Sequence, residues 1–211
     1  MKQLRLETLA DGIFAIIITL LTFELRLPSP DLIETEHDLW LSVTELGPIF
    51  LSFILSFALL FTYWRAHHYI VSIYAKAVDA RLSTINAVFF FFIALIPFSS
   101  RLLGEYSDLK LAIALYALNI ICIGLSLIWM RKYVLASGYI SHMSVKKLEQ
   151  RRGVIRVMVP MVFALLAIAI SFISTKLSFV LLTSAIVFNL MSRTTTFVNW
   201  IYESMIQKQE G

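Results

Sequence analysis

The sequence predicts an all-α integral membrane protein with six transmembrane helices per subunit, and three observations carry that prediction. Hydrophobic residues make up 59% of 211 positions and charged ones 15%, a balance far from that of water-soluble domains. Charge-free runs cover 46–64, 82–100, 111–130, 157–175 and 177–192, after a first segment that is apolar between its charged ends apart from Asp11. Each approaches the roughly 20 residues needed to cross a hydrocarbon core of about 30 Å. The third observation is the charge asymmetry of the loops. With both termini and the even-numbered loops on the cytoplasmic side, Lys2, Arg5, Arg65, Lys76, Arg81, Arg131, Lys132, Lys146, Lys147, Arg151, Arg152, Arg156, Arg193 and Lys208 lie inside. Only Arg26, Arg101, Lys110 and Lys176 lie outside, so the positive-inside rule sets the orientation. The net charge of +4 therefore concerns topology and lipid, and nucleic acid is not an expected partner.

The spans are placed at about 6–26, 46–68, 82–103, 110–130, 156–175 and 177–197, forming one transmembrane domain over 1–211. The first makes 21 helical positions, about 31 Å long, with Asp11 roughly 8 Å inside its near end. A charge at that depth costs on the order of 3 kcal/mol, so Asp11 must face a partner, a bundle interior or a water-filled path. No small-residue cleavage site follows before the acidic loop, so this span is expected to remain in the mature protein. Loop 27–45 carries Pro28, Pro30, Asp31, Glu34, Glu36, Asp38 and Glu45 and reads either as a solvated loop or as a cation-concentrating vestibule. Pro97 predicts a kink in the third span, where neighbouring helices can satisfy the freed carbonyl. Cys122, the single cysteine, lies in the fourth span and excludes an intramolecular disulfide framework. Segment 131–156 is basic and polar enough for an amphipathic helix against anionic headgroups, with Gly153 and Pro160 marking entry to the fifth span. The last span ends in Asn189, Ser192, Arg193, Thr194, Thr195, Thr196 and Asn199, with Trp200 and Tyr202 as interface anchors.

Helical geometry restricts who can meet Asp11. Arg5, six positions away, lies on a different face, and Glu7 is a like charge, so the partner must come from another helix. The assigned topology brings Trp64, Arg65, His67 and His68, at the end of the second span, to the same side. Trp64, His67 and His68 stand at i, i+3 and i+4 and predict an interhelical network with Asp11, with Arg81 and Asn86 as further candidates. The same network could equally be a structural clasp. Adjacent histidines point about 100° apart and no cysteine lies near, so neither a metal nor another cofactor is expected. No serine elbow, Cys–His pair or paired carboxylates support an enzyme. Ile16, Thr19, Leu20 and Phe23 recur at i, i+3, i+4 and i+7, a stripe that periodicity alone assigns to packing more readily than to a pore.

The run Arg5-x-x-x-Leu9-Ala10-Asp11 resembles the (Arg/Lys)-x-x-x-Phe-Ser-Asp signature of the transmembrane protein 175 family of endosomal and lysosomal potassium channels, with Leu9 and Ala10 in place of Phe and Ser. Trp64-Arg65-Ala66-His67-His68 resembles the end of the family's second helix, and Asn86 through Pro97-Phe98 to Leu103-Gly104-Glu105-Tyr106 its third. The resemblance covers about the first half of the chain and, with six spans, fits a prokaryotic single-repeat member. It implies a homotetramer in a bacterial cell membrane whose four first helices line a central pore for potassium ions. It also implies an apolar constriction at Ile16, Leu20 and Phe23, with Thr19 beside them. No carbonyl filter loop of the Thr-Val-Gly-Tyr-Gly kind is present, so selectivity is expected from partial dehydration at the apolar rings. The alternative is a proton-coupled secondary transporter using Asp11 and the histidines, although the paired interrupted helices of such folds are not evident.

Overall fold

A computed structural model describes residues 3–75, 77–137 and 147–190. Lys2, Lys76, Lys146, Arg193, Lys208, the polar run Ser192 to Asn199 and the anchors Trp200 and Tyr202 lie outside the described residues. Every principal element is helical. Helix α1, Gln3–Leu20, tightens into a 3-10 turn over Leu21–Glu24. It buries Leu6, Ala10, Phe14, Ile17 and Leu21, spaced at three or four positions and thus on one face. That face packs on the helices of the second and third spans, with the Phe14 ring 6.1 Å from that of Phe89.

The acidic connection 27–45 is not wholly loop: it holds a 3-10 turn, Pro30–Leu32, and helix α2, Glu36–Glu45. Its start is a capping box in which Asp38 N donates to Thr35 Oγ1 at 3.2 Å and Thr35 N donates to Asp38 Oδ2 at 2.9 Å. The Thr35 hydroxyl, which donates to Asp38 Oδ2 at 2.7 Å, and after it the Thr35 N–H hold the Asp38 carboxyl below the usual carboxylate range. No residue of α2 is buried, which is why apolar periodicity gave no warning of it.

Helix α3, Gly47–His68, takes Pro48 in its first turn, where a missing N–H costs no helical bond, and continues as a π-helical turn over Tyr69–Tyr74. The third span comprises two helices. Helix α4, Ala80–Ala94, is capped by Asp79, whose Oδ1 accepts from Leu82 N at 2.7 Å. Helix α5, Ile96–Glu105, starts afresh with Pro97 in its first turn, so the kink expected at Pro97 is a break at Leu95. Helix α6, Lys110–Ala136, runs beyond the expected boundary at 130 because no breaker precedes Ser137 and its end is held from the side. The Tyr133 hydroxyl donates to Asp79 Oδ2, Arg81 lies over the Tyr133 ring at 5.1 Å, and Arg131 lies over the Tyr74 ring at 5.7 Å. The Tyr133 hydroxyl also holds the Asp79 carboxyl below its usual range. Helices α7, Lys147–Ser171 with Pro160 inside, and α8, Thr175–Leu190, are the last of the described residues. Segment 131–156 is thus divided between the end of α6, residues outside the description, and the start of α7.

Among the described residues, Gln3–Glu24, Gly47–Tyr74, Ala80–Glu105 and Lys110–Ala136 are long and apolar enough to cross a membrane, and Val157–Ser171 is a shorter apolar stretch. Lipid is as apolar as leucine, so close fit rather than hydrophobic burial joins such helices. Gly104 of α5 supplies that fit against α3: an added Cβ would lie 2.8 Å from Ile49 Cα and 2.7 Å from Ser52 Oγ. Gly124 of α6 is as crowded, by the flexible side chain of Met161 in α7, whereas Gly12 of α1 has nothing within 4 Å. Gly104→Ala should therefore lower the thermal unfolding midpoint of the detergent-solubilised protein by the equivalent of about 1–3 kcal/mol, since backbone has to move. Gly124→Ala should cost less, and Gly12→Ala should be neutral or slightly stabilising; equal midpoints for all three would contradict the close α3–α5 approach.

Candidate functional site

Only 28% of the most apolar stretch of α1 is buried, against 56% of that of α6, so among the four long apolar spans of the described residues α1 is the least covered. Its uncovered side follows a heptad. Arg5, Leu9, Gly12, Ile16, Thr19 and Phe23 stand at alternating spacings of four and three, and all are exposed. Leu20 flanks the seam, and the exposures of Ile16, Leu20 and Phe23 are 60%, 43% and 59%. Ala10 of the signature points the other way and is buried, while Leu9 is exposed.

Backbone geometry sets the hydroxyls of this face. Thr19 Oγ1 donates to the carbonyls of Ile16 at 2.8 Å and Ala15 at 3.1 Å, and Thr22 Oγ1 donates to Thr19 O at 2.6 Å. A hydroxyl whose proton is engaged with its own backbone presents only lone pairs outward, the character of a cation ligand.

Asp11, near the start of α1, accepts a hydrogen bond from Trp64 Nε1 at 2.8 Å. The Trp64 ring stacks at 6.1 Å on His68, whose Nδ1 lies 3.0 Å from Ser72 Oγ in the π-helical turn. His67 takes no part in this group. One position from His68, it points into the core, where Nε2 lies 2.7 Å from Asn86 Oδ1 and the ring stacks on Phe89 at 5.2 Å. Asn86 Nδ2 in turn donates to Leu82 O at 2.8 Å, which fixes the amide and makes its oxygen the acceptor of the His67 N–H. The residues proposed to meet Asp11 thus form two clasps: Asp11–Trp64–His68 on the surface, and His67–Asn86 between α3 and α4. Arg81 stays with Tyr133, and no ion pair among the described residues joins Arg5 to Asp11. Gln3 adds a further tie, donating through Nε2 to Val71 O at 2.9 Å.

Sequence reasoning did not single out the group at the far end of α1. Arg101 Nε donates to Glu105 Oε1 at 2.9 Å and lies 3.7 Å from Glu24 Oε2. The i, i+4 spacing of Arg101 and Glu105 was a usable signal; the tertiary approach of Glu24 was not. Buried polar contacts also link the supporting helices, with Ser56 Oγ 3.0 Å from the Tyr116 hydroxyl and Asn119 Nδ2 donating to Ser99 Oγ at 3.1 Å.

If the indole N–H is what holds Asp11, Trp64→Phe and Asp11→Asn should each lower the unfolding midpoint, and the double variant should lower it no further than the larger single change. Additive shifts would show that the two side chains act independently.

Residues 5–97 match the family model described as "Endosomal/lysosomal potassium channel TMEM175". A potassium channel of Chamaesiphon minutus is 35% identical over 116 residues, 54% of this chain and 56% of the relative. Another, of a Chryseobacterium species, is 31% identical over 121 residues, 57% of this chain and 59% of the relative. The matches therefore span little more than half the length of these curated relatives. The crystal structure of a lysosomal potassium-selective channel TMEM175 homolog from Chamaesiphon minutus superposes with a TM-score of 0.75 at 28% identity, covering 89% of this chain and 95% of that one. By its first half in sequence and by nearly its whole length in fold, the chain is similar to the TMEM175 potassium channels.

Proposed function

We propose that this protein is a potassium-selective, leak-type cation channel, a homotetramer in which four copies of α1 surround a central pore. The single observation that carries the reading is the one-sided burial of α1. Leu6, Ala10, Phe14, Ile17 and Leu21 are seated on the chain's own helices, while a heptad seam from Arg5 to Phe23 is left exposed among the described residues. A seam with a seven-residue repeat fits a second copy of itself better than it fits lipid, because it alternates large apolar residues, Leu9, Ile16 and Phe23, with Arg5, Gly12 and Thr19. Tetramer stoichiometry and potassium as the ion come from the named activity of the relatives and from the family resemblance.

In this reading the subunit is one six-span channel domain over 1–211, α7 and α8 supplying the last two spans. Both termini are cytoplasmic by the distribution of Lys and Arg, and the host is a bacterial cell membrane. Side chains at Ile16, Leu20 and Phe23 form successive apolar rings, about 6 Å apart along the α-helical and then the 3-10 segment. An ion passing them sheds part of its hydration shell, which penalises sodium more than potassium because sodium holds its water more tightly. Thr19 hydroxyls, their protons turned to the backbone, offer lone pairs in place of the lost ligands. Tilt or rotation of α1 widens the rings and wets them, which opens the pore.

Purified protein in planar bilayers under bi-ionic potassium and sodium should show a reversal potential favouring potassium. Ile16→Asn supplies polar ligands at a ring and should move that potential toward zero, while Thr19→Val should lower potassium conductance without abolishing expression. Unchanged selectivity and current across substitutions at Ile16, Leu20 and Phe23 would defeat the assignment. Potassium moved uphill at the expense of a proton gradient would instead mark a transporter.

A further inference from the structure

Glu24 closes the 3-10 turn at the end of α1, directly after Phe23. Its side chain is 17% exposed, and its Oε2 makes no hydrogen bond although Arg101 Nε is 3.7 Å away. The N–H of that nitrogen is engaged elsewhere, with Glu105 Oε1 at 2.9 Å one turn along α5. One guanidinium thus serves two carboxylates that do different things. The bond to Glu105 stays within α5 and joins nothing, whereas the ion pair with Glu24 ties α5 to the end of α1. Helix α5 is a firm post for such a tie. Gly104 sits against the backbone of α3 at Ile49, Ser100 Oγ donates to Ser52 O at 3.2 Å, and Ser99 receives the amide of Asn119.

We infer that Arg101 is a positioning residue, a latch that holds the end of α1 and its Phe23 ring, and that Glu105 is the competitor that keeps this latch weak. The inference rests on the pore reading of α1, since only there does movement of Phe23 alter permeation. Arg101 is 47% exposed, so its ion pairs are modest and able to exchange, which suits a contact that must yield when the helix moves. Removing Glu24 loosens the end of α1; removing Glu105 frees the guanidinium to bond Glu24 fully and tightens it. The two neutralisations, similar in charge and close in space, therefore act in opposite directions.

Single-channel recording from the full chain in planar bilayers tests this directly. Glu24→Gln should shorten open and closed dwell times about two- to fivefold, the scale of an exposed ion pair, and Glu105→Gln should lengthen them by a similar factor. Arg101→Gln should resemble Glu24→Gln, and combining the two should add nothing. Thermal unfolding of Glu24→Gln, Arg101→Gln and their double variant in detergent gives a second readout, expected to be non-additive. Dwell times that move in the same direction in Glu24→Gln and Glu105→Gln, or do not move, overturn the latch while a potassium-selective wild-type current leaves the pore reading standing. Absence of current in the wild type overturns the pore reading. In that case additive unfolding shifts overturn the Glu24–Arg101 tie as well, and non-additive shifts support it.

Discussion

The seating of Phe14 determines how α1 is presented. Its ring is buried against Phe89, with Ala10 one turn before it, Ile17 one turn after it and Leu21 at the start of the 3-10 turn, all on the same side. Rotating a helix held along that line shifts several packed side chains at once, so the opposite seam has a defined direction at rest. In lipid no hydrophobic force distinguishes the two faces, and the choice is made by fit. Large residues of α1 meet the large residues of α4, as Phe14 meets Phe89, and the two glycines crowded by neighbouring helices, Gly104 by Ile49 and Gly124 by Met161, lie in the supporting helices instead. The supports are thus tightly built and α1 is left free on one side.

Polar contacts at the two ends of α1 complete the arrangement. Near its start, Asp11 and Gln3 reach α3 and the π-helical turn that follows it, through Trp64 and the carbonyls of Val71 and Ser72. At its end, Glu24 faces Arg101. A carboxylate that would be costly alone in a membrane becomes a directional anchor once a neighbouring helix supplies a donor. Between these anchors no side-chain hydrogen bond or ion pair joins α1 to another helix among the described residues, so its middle is positioned by packing. This division suits the proposed pore role, in which the ends locate the helix and the apolar stretch between them tilts.

Much of this was legible in the sequence because membrane spans obey a length and charge rule that needs no tertiary information. The spacing of Trp64, His67 and His68 pointed to one end of α3 as the place for Asp11 to find a donor, since a carboxylate within a span has few options, and Trp64 donates to it there. It could not say which of the three would donate, because one residue of rotation sends His68 toward the surface and His67 toward Asn86. Helix α2 escaped notice for a different reason. A capping box at Thr35 and Asp38 is local chemistry, but the helix it starts buries nothing and so leaves no apolar period. The break at Leu95 was foreshadowed by Pro97, whereas the extension of α6 past Arg131 and Lys132 depends on Tyr74, Asp79 and Arg81, distant in sequence. The approach of Glu24 to Arg101 is likewise a tertiary fact that no pattern in either segment announces.

The central claim is that the seam of α1 left exposed among the described residues faces water and ions. Cysteine accessibility measures this most directly. In a Cys122→Ala background, Ile16→Cys, Leu20→Cys and Phe23→Cys should each lose current on exposure to a charged, water-soluble thiol reagent. Ala10→Cys, Ile17→Cys and Leu21→Cys, on the seated face, should keep theirs. Equal protection of both faces, or block confined to the seated one, would contradict the account.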